Sequence, residues 1–186
     1  MNKTAIFLAL AFMALGGPLA RGTAMPKFPA RVDAEGTPLA LRSTGIFKAR
    51  VFFSVYAAAL YLEEGVSSAR VLEDVPKRLE LHYFYSIPAS VMVEEGGSAL
   101  AANLSPDQRE LLRERILQLN AAYRDVKPGE RYALTYVPGR GTVLSLNGEE
   151  ICRIDGADFA AAYFRVWLGE KPSSRALKKA LLGPAG

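Results

Sequence analysis

Apolar and polar residues recur along this chain with two different periods, and the period predicts the elements. From Ile46 to Leu62 the sequence is dense in Phe, Val, Tyr and Ala, with no proline or glycine. That pattern predicts one long strand. Successive side chains of a strand point to opposite faces. Phe47, Ala49, Val51, Phe53, Val55, Ala57 and Ala59 then form an apolar face, and Lys48, Arg50, Phe52, Ser54 and Tyr56 a mixed one. Glu63, Glu64 and Gly65 close the strand. A short helix capped by Ser67 is expected up to Asp74, where Pro76 stops it. Alternation returns from Leu79 to Tyr85. Leu79, Leu81, Tyr83 and Tyr85 share one side of that strand, and Glu80, His82 and Phe84 the other.

A helix is predicted from Pro88 to Ala102, with proline suited to its first turn. Gly96 and Gly97 sit in its middle. Each costs a helix about 1 kcal/mol relative to alanine, so a kink or a close approach by another element is expected there. Ser105-Pro106-Asp107-Gln108 reads as a capping box. The helix after it places Leu112, Ile116, Leu119 and Tyr123 on one stripe. Three strands follow Lys127-Pro128-Gly129: 131–137, 142–146 and 149–154. Pro138-Gly139-Arg140-Gly141 turns the first into the second, and Asn147-Gly148 is a two-residue hairpin signal before the third. A helix carrying Phe159, Tyr163, Phe164 and Trp167 is expected from Ala157 to Leu168. A last one, capped by Ser173 or Ser174, ends near Leu182. Strands joined by short turns, with helices grouped between them, predict an α+β fold: a large antiparallel sheet with a layer of helices on one face.

The N-terminus carries a different grammar. Lys3 precedes an apolar run from Ala5 to Leu15. Gly16, Gly17 and Pro18 break it, and small residues follow. Residues 1–24 are therefore expected to be a cleaved signal peptide, with cleavage after Ala24. The run is shorter than the roughly 20 residues a bilayer span takes. No stable membrane span is expected after cleavage, and the protein is expected to be periplasmic or secreted. Residues 25–38 are proline- and charge-rich and read as a leader segment with one edge strand at most. Residues 39–183 form the expected single domain, without internal repeat or linker.

Composition removes several classes of chemistry. At 186 residues and 50% apolar, the chain is long enough to bury a core and too apolar to be disordered. Losing Lys3 and Arg21 lowers the net charge from +4 to about +2. No cluster of Lys and Arg is interleaved with aromatics, so no nucleic-acid footprint is present. One cysteine, Cys152, excludes an internal disulfide and multi-cysteine metal sites. One histidine, His82, excludes every two-histidine metal motif. The pairs Glu63/Glu64, Glu94/Glu95 and Glu149/Glu150 are adjacent in sequence and diverge on regular structure, so they read as solvated ends and edges.

Two sets of residues remain as candidates. Lys48, Arg50 and Tyr56 fall on the mixed face of the long strand. A pocket lined by Phe52 and Tyr56 with a cation at its mouth suits an amphipathic carboxylate or phenolate. The same pattern also fits a solvated face whose Lys48 and Arg50 stems cover Phe52. His82 lies among Tyr83, Phe84 and Tyr85. Its imidazole fits a haem axial ligand, a general base or a half-buried structural side chain.

The segment from Phe52 to Glu63 resembles the signature strand of the bacterial chalcone isomerase-like proteins, and Lys77 to Tyr83 their second strand. Ala102-Asn103-Leu104-Ser105, Tyr136-Val137-Pro138-Gly139, Leu146-Asn147-Gly148, Ala157-Asp158-Phe159-Ala160 and Trp167 to Pro172 complete the series in order. The resemblance implies the chalcone isomerase fold, with a ligand cleft between sheet and helices. The family's enzymes cyclise chalcones with an Arg and a Thr from the early strands, a Tyr and an Asn from the helical layer, and a polar pair on a late helix. By position, that Thr falls at Tyr56, the Tyr near Gly96, the Asn at Asn103, and the polar pair at Val166 and Trp167. Strict spacing puts Thr44 at the Arg position; Lys48 or Arg50 takes it only in a shifted register. Members without the full set bind fatty acids or act as non-catalytic partners, and some bacterial relatives are linked to haem.

The expectation is therefore a periplasmic, non-catalytic protein. It would bind a small apolar or amphipathic anionic ligand, fatty-acid-like or flavonoid-like, through Lys48, Arg50, Tyr56 and Asn103. Two alternatives stay open: haem binding with His82 as axial ligand, and a chalcone isomerase-type intramolecular lyase acting on an enone. No other cofactor is implied.

Overall fold

A computed structural model describes residues 24–49 and 53–183. The expected signal segment up to Thr23, together with Arg50, Val51 and Phe52, lies outside the described residues. Seven strands form one antiparallel sheet in sequence order: β1 (Arg31–Ala34), β2 (Thr37–Ala49), β3 (Phe53–Glu63), β4 (Lys77–Tyr83), β5 (Arg131–Val137), β6 (Gly141–Leu146) and β7 (Glu149–Ile154). The helices are α1 (Ala89–Asn103), α2 (Pro106–Leu111), α3 (Arg113–Ala122), α4 (Ala157–Tyr163), α5 (Arg165–Leu168) and α6 (Arg175–Leu182). Their buried residues belong to one hydrophobic core shared with one face of the sheet. This is the α+β arrangement the alternating pattern predicted. Among the described residues, no helix is long and apolar enough to cross a membrane.

Two expectations need correction. The run from Ile46 to Leu62 is not one strand. The chain reverses within it, so that Lys48 pairs with Ser54 and Ala49 with Phe53. Alternation reports which way side chains point; it is blind to a reversal made without glycine or proline. The segment 25–38 is not only a leader. It supplies the one edge strand allowed for it, β1, and also the first residues of β2, so the sheet begins at Arg31, ahead of the expected domain start at Leu39. The expectation of a kink or a close approach in α1 is met by the second: the helix runs unbroken through Gly96 and Gly97, and Gly96 lies close to Tyr163.

The remaining local signals give the expected elements. Ser105 and Gln108 form the reciprocal capping box that starts α2. Ser67 caps only a single 3-10 turn, Ser68–Arg70. Ser174 accepts from the Leu177 amide and starts α6. That last helix rests directly on β2, because Gly45 leaves room for it. A Cβ at Gly45 would meet Leu177 Cδ1 at 2.8 Å and the Ala180 Cβ at 2.9 Å. The Ser43 hydroxyl, on the same strand, donates to the Leu181 carbonyl.

β3 divides the interior. Tyr56, Ala58, Leu60 and Leu62 join the main core under the helices. Ala57, Ala59 and Tyr61 join a smaller cluster on the opposite face with Phe28, Leu39 and Val137. Burying a strand on both faces takes apolar residues at every position, which is why the period of two is weak there.

Candidate functional site

Between the helix-facing side of the sheet and helices α1, α4 and α5 lies a cavity of about 240 Å³. That is near the small end of ligand pockets, which run to roughly 300–1,000 Å³. Strands β3 to β6 supply its floor through Tyr56, Leu79, Leu81, Tyr83, Leu134 and Leu144. The exposed members of its lining, Lys48 and Ser173, mark its mouth.

Aromatic rings form a closed circuit around this space. Tyr56 lies against Tyr83 with ring centroids 5.6 Å apart, and Tyr83 against Tyr132 at 6.2 Å. Tyr132 meets Tyr123 at 5.3 Å. The Tyr123 and Tyr163 hydroxyls are hydrogen-bonded at 3.0 Å, and Tyr163 leans on Trp167 at 6.1 Å. The Trp167 indole N–H donates to the Tyr56 hydroxyl at 3.2 Å, which closes the ring. Tyr56 is anchored further by Phe47, stacked on it at 4.9 Å and 7°. These contacts come from three strands, α4, α5 and the end of α3. They fix wide, flat walls that side-chain rotation alone does not collapse.

The phenols are held neutral. Burial pushes Tyr123 up to about 12, with the Tyr163 hydroxyl bond opposing it in part. Burial likewise raises Tyr56, Tyr83 and Tyr163 well above the ordinary phenol range. At neutral pH each is an O–H group, able to donate to an acceptor and unable to serve as an anionic base. The other ionisable lining residue besides Lys48 is Glu95, which is half-buried on α1. Burial, with the neighbouring Glu94 charge, raises its carboxyl above the usual range. Among the described residues it has no hydrogen-bond or ion-pair partner.

The predicted site residues separate. Lys48 and Tyr56 both line the cavity, brought together because β2 and β3 fold back on each other. Phe47, placed by alternation on the opposite face from Tyr56, lies directly across from it and lines the same space. Arg50 lies outside the described residues. Asn103 is not in the lining: its amide donates to the Ala99 carbonyl at 2.8 Å and the Lys171 carbonyl at 2.7 Å, and accepts from the Lys171 amide at 3.0 Å. It ties the end of α1 to the segment after α5, and both of its amide hydrogens are committed there.

His82 points to the other face of the sheet. Its ring packs edge-on against Phe84 at 5.6 Å, and its Nδ1 is buried without a partner. Burial, followed by the Arg131 charge, lowers its pKa, against a smaller opposing effect of Glu80. Neither of the two cavities described contains it. The imidazole and the tyrosine-lined space are therefore separate features, and the residues around His82 do not form a haem pocket with that cavity.

Glu95 was read as a solvated residue, and the structure corrects this. Met92, Glu95, Gly96, Ala99 and Leu100 recur at helical spacing on the face of α1 that meets the core. A carboxyl on that stripe was the available signal. Gly96 also explains itself here. A Cβ at that position would sit 3.4 Å from the Tyr163 hydroxyl, so the phenol from α4 occupies the space beside α1 that a side chain would otherwise take.

Fold and site can now be set beside known proteins. The chain belongs to the chalcone isomerase-like family, whose model matches residues 20–183. Among solved structures it is similar to a fatty-acid binding protein of Arabidopsis thaliana, with a TM-score of 0.62 and 16% sequence identity over 83% of this chain and 90% of that one. At that identity the likeness is one of fold. A search of curated protein sequences found no match.

Proposed function

We propose that this protein is a non-catalytic binder of a small amphipathic ligand, held with its apolar body inside the ring of tyrosines and its polar end towards Lys48. The observation that carries the reading is the cavity itself: about 240 Å³ left open in a core whose other side chains are closely buried. The lining offers neutral hydroxyl donors and apolar walls. It offers no nucleophile–base pair and no polar pair at Val166 and Trp167. A fold shared with a fatty-acid binding protein supports an acyl chain as the occupant, and the aromatic walls suit a flavonoid-like one. Tyr56 is the hydrogen-bonding contact we assign to the polar end: its hydroxyl lines the cavity, held there by the Trp167 indole and by Ser173.

Native mass spectrometry after incubation with laurate, palmitate and naringenin is expected to retain at least one of them. Val91→Trp, which enlarges a partly exposed lining residue of α1, is expected to abolish retention while leaving the far-UV circular dichroism of the native protein. Absence of any retained compound in the native protein would overturn the proposal. With naringenin chalcone as substrate, the cyclisation rate is expected to equal that in buffer.

We also propose that the protein is exported, on the strength of Lys3, the apolar run Ala5–Leu15 and the small residues that follow it. The intact mass of the expressed mature chain is expected to correspond to cleavage after Ala24, and a chain retaining residue 1 would refute it.

A further inference from the structure

The cavity carries one feature that a site for an anion does not call for. Its half-buried ionisable group is a carboxyl, Glu95, and the one cation in its lining among the described residues, Lys48, stands exposed. We propose that Glu95 tunes the cavity to the charge of the head group: ionised, it weakens the binding of an anionic amphipath, and on taking up a proton it strengthens it. This rests on the ligand-binding reading above and specifies its chemistry.

The geometry supports the selection. Glu95 sits on the core-facing stripe of α1, beside Gly96, within the cavity lining. No Arg or Lys among the described residues pairs with it, so its charge is not cancelled locally. Like charges brought together in a partly desolvated space repel far more than in water. The groups that face the cavity from the other elements are Lys48 on β2, Tyr56 on β3, Tyr83 on β4, Tyr132 on β5, Tyr123 after α3 and Tyr163 on α4, while Glu94 flanks Glu95 on its own helix. The buried phenols stay protonated, so they do not titrate near neutrality. Burial, with the Glu94 charge beside it, raises the Glu95 pKa above its ordinary value.

The test uses two ligands that keep their charge at every relevant pH: decanesulfonate, always anionic, and decanol, always neutral. Trp167, the chain's single tryptophan, lines the cavity and reports occupancy by its emission. Sulfonate affinity is expected to rise about tenfold as the pH falls from neutral to mildly acidic, from relief of a like-charge contact at an intermediate effective dielectric. Glu95→Gln is expected to bind sulfonate at the higher affinity throughout, with no pH slope. Decanol is expected to bind alike to both proteins at both pH values, which also shows that the variant is folded. Lys48→Gln is expected to weaken sulfonate binding and keep the slope. Equal sulfonate binding by native protein and Glu95→Gln at neutral pH, with decanol bound, overturns the selection by Glu95. A slope that survives in Glu95→Gln overturns it as well. Failure of both compounds to bind at any pH overturns the ligand-binding reading itself.

Discussion

On β4, Lys77, Leu79, Leu81 and Tyr83 face the helices, while Arg78, Glu80 and His82 face the other way. The two faces treat buried charge differently. Away from the helices, the Glu80 carboxylate accepts from Arg131 at 2.6 Å and from Arg78 at 3.0 Å. Arg78 reaches on to Thr135 at 3.1 Å, and Arg131 lies over the Phe28 ring at 5.0 Å while donating to the Lys27 carbonyl at 3.0 Å. Each charged group has an ionic partner, two guanidiniums sharing one carboxylate, and the network fastens the N-terminal segment to the sheet. On the helix side Glu95 has no such partners and borders open space. Paired charge on one face holds the fold; a single unpaired carboxyl on the other is free to respond to a guest.

The comparison can be broken most sharply at Glu80. Glu80→Gln leaves two guanidinium groups without their anion, and urea unfolding is expected to show a loss of about 2–4 kcal/mol, the lower part of the range reflecting the partial exposure of Arg131. Ligand retention by the folded variant is expected to be unchanged. A loss of binding with no loss of stability would reverse the roles assigned to the two faces.

Lys77 is the exception on the helix side, a fully buried ammonium that donates to the Glu73 carbonyl at 2.6 Å and lies 4.7 Å from the centroid of the Tyr136 ring. Burial lowers its pKa from 10.5 to about 8, against the Asp74 and Glu73 charges. Between those values the unfolded chain holds a proton that the folded chain releases. Stability therefore rises with pH through that window and is lost as pH falls towards 8. Above pH ~10, unfolded phenols begin to ionise and oppose the trend. Thermal melts of native protein are expected to show this rise and those of Lys77→Met to lack it, with the variant about 1–3 kcal/mol more stable at neutral pH. A flat native profile would show that Lys77 is better solvated than its burial indicates.

Smaller effects sharpen the picture of the cavity wall. Tyr163→Phe removes the hydroxyl pair with Tyr123 and is expected to cost about 1 kcal/mol in chemical denaturation. Gly97, next to the cavity-facing Gly96, has nothing within 4 Å of where its Cβ would stand. Gly97→Ala is expected to stabilise by about 0.5–1 kcal/mol without altering ligand retention. Retention lost in Gly97→Ala would mean that α1 needs local freedom to admit a ligand.

Much of the frame was legible in the sequence because it is locally encoded. The Asn147-Gly148 turn, the capping box at Ser105 and the alternation of β4 each depend on a few adjacent residues, and each produced the expected element. The reversal after Ala49 was not legible, since it carries no glycine or proline signature. Half of the site was missed for a related reason. Asn103 had the right chemistry, but it is tied to Lys171, 68 residues away, and lies outside the cavity lining. Glu95 resembled an exposed acid because its neighbour Glu94 is one.

The amino-acid order alone determined the faces of β4, the hairpin at Asn147-Gly148 and the family to which the chain belongs, because periodicity and turn chemistry act over a handful of residues. Only the tertiary structure decided where an unfilled space would lie. Six aromatic rings from separate elements had to meet around it, and a void is a property of faces that come together, which no single stretch of sequence contains.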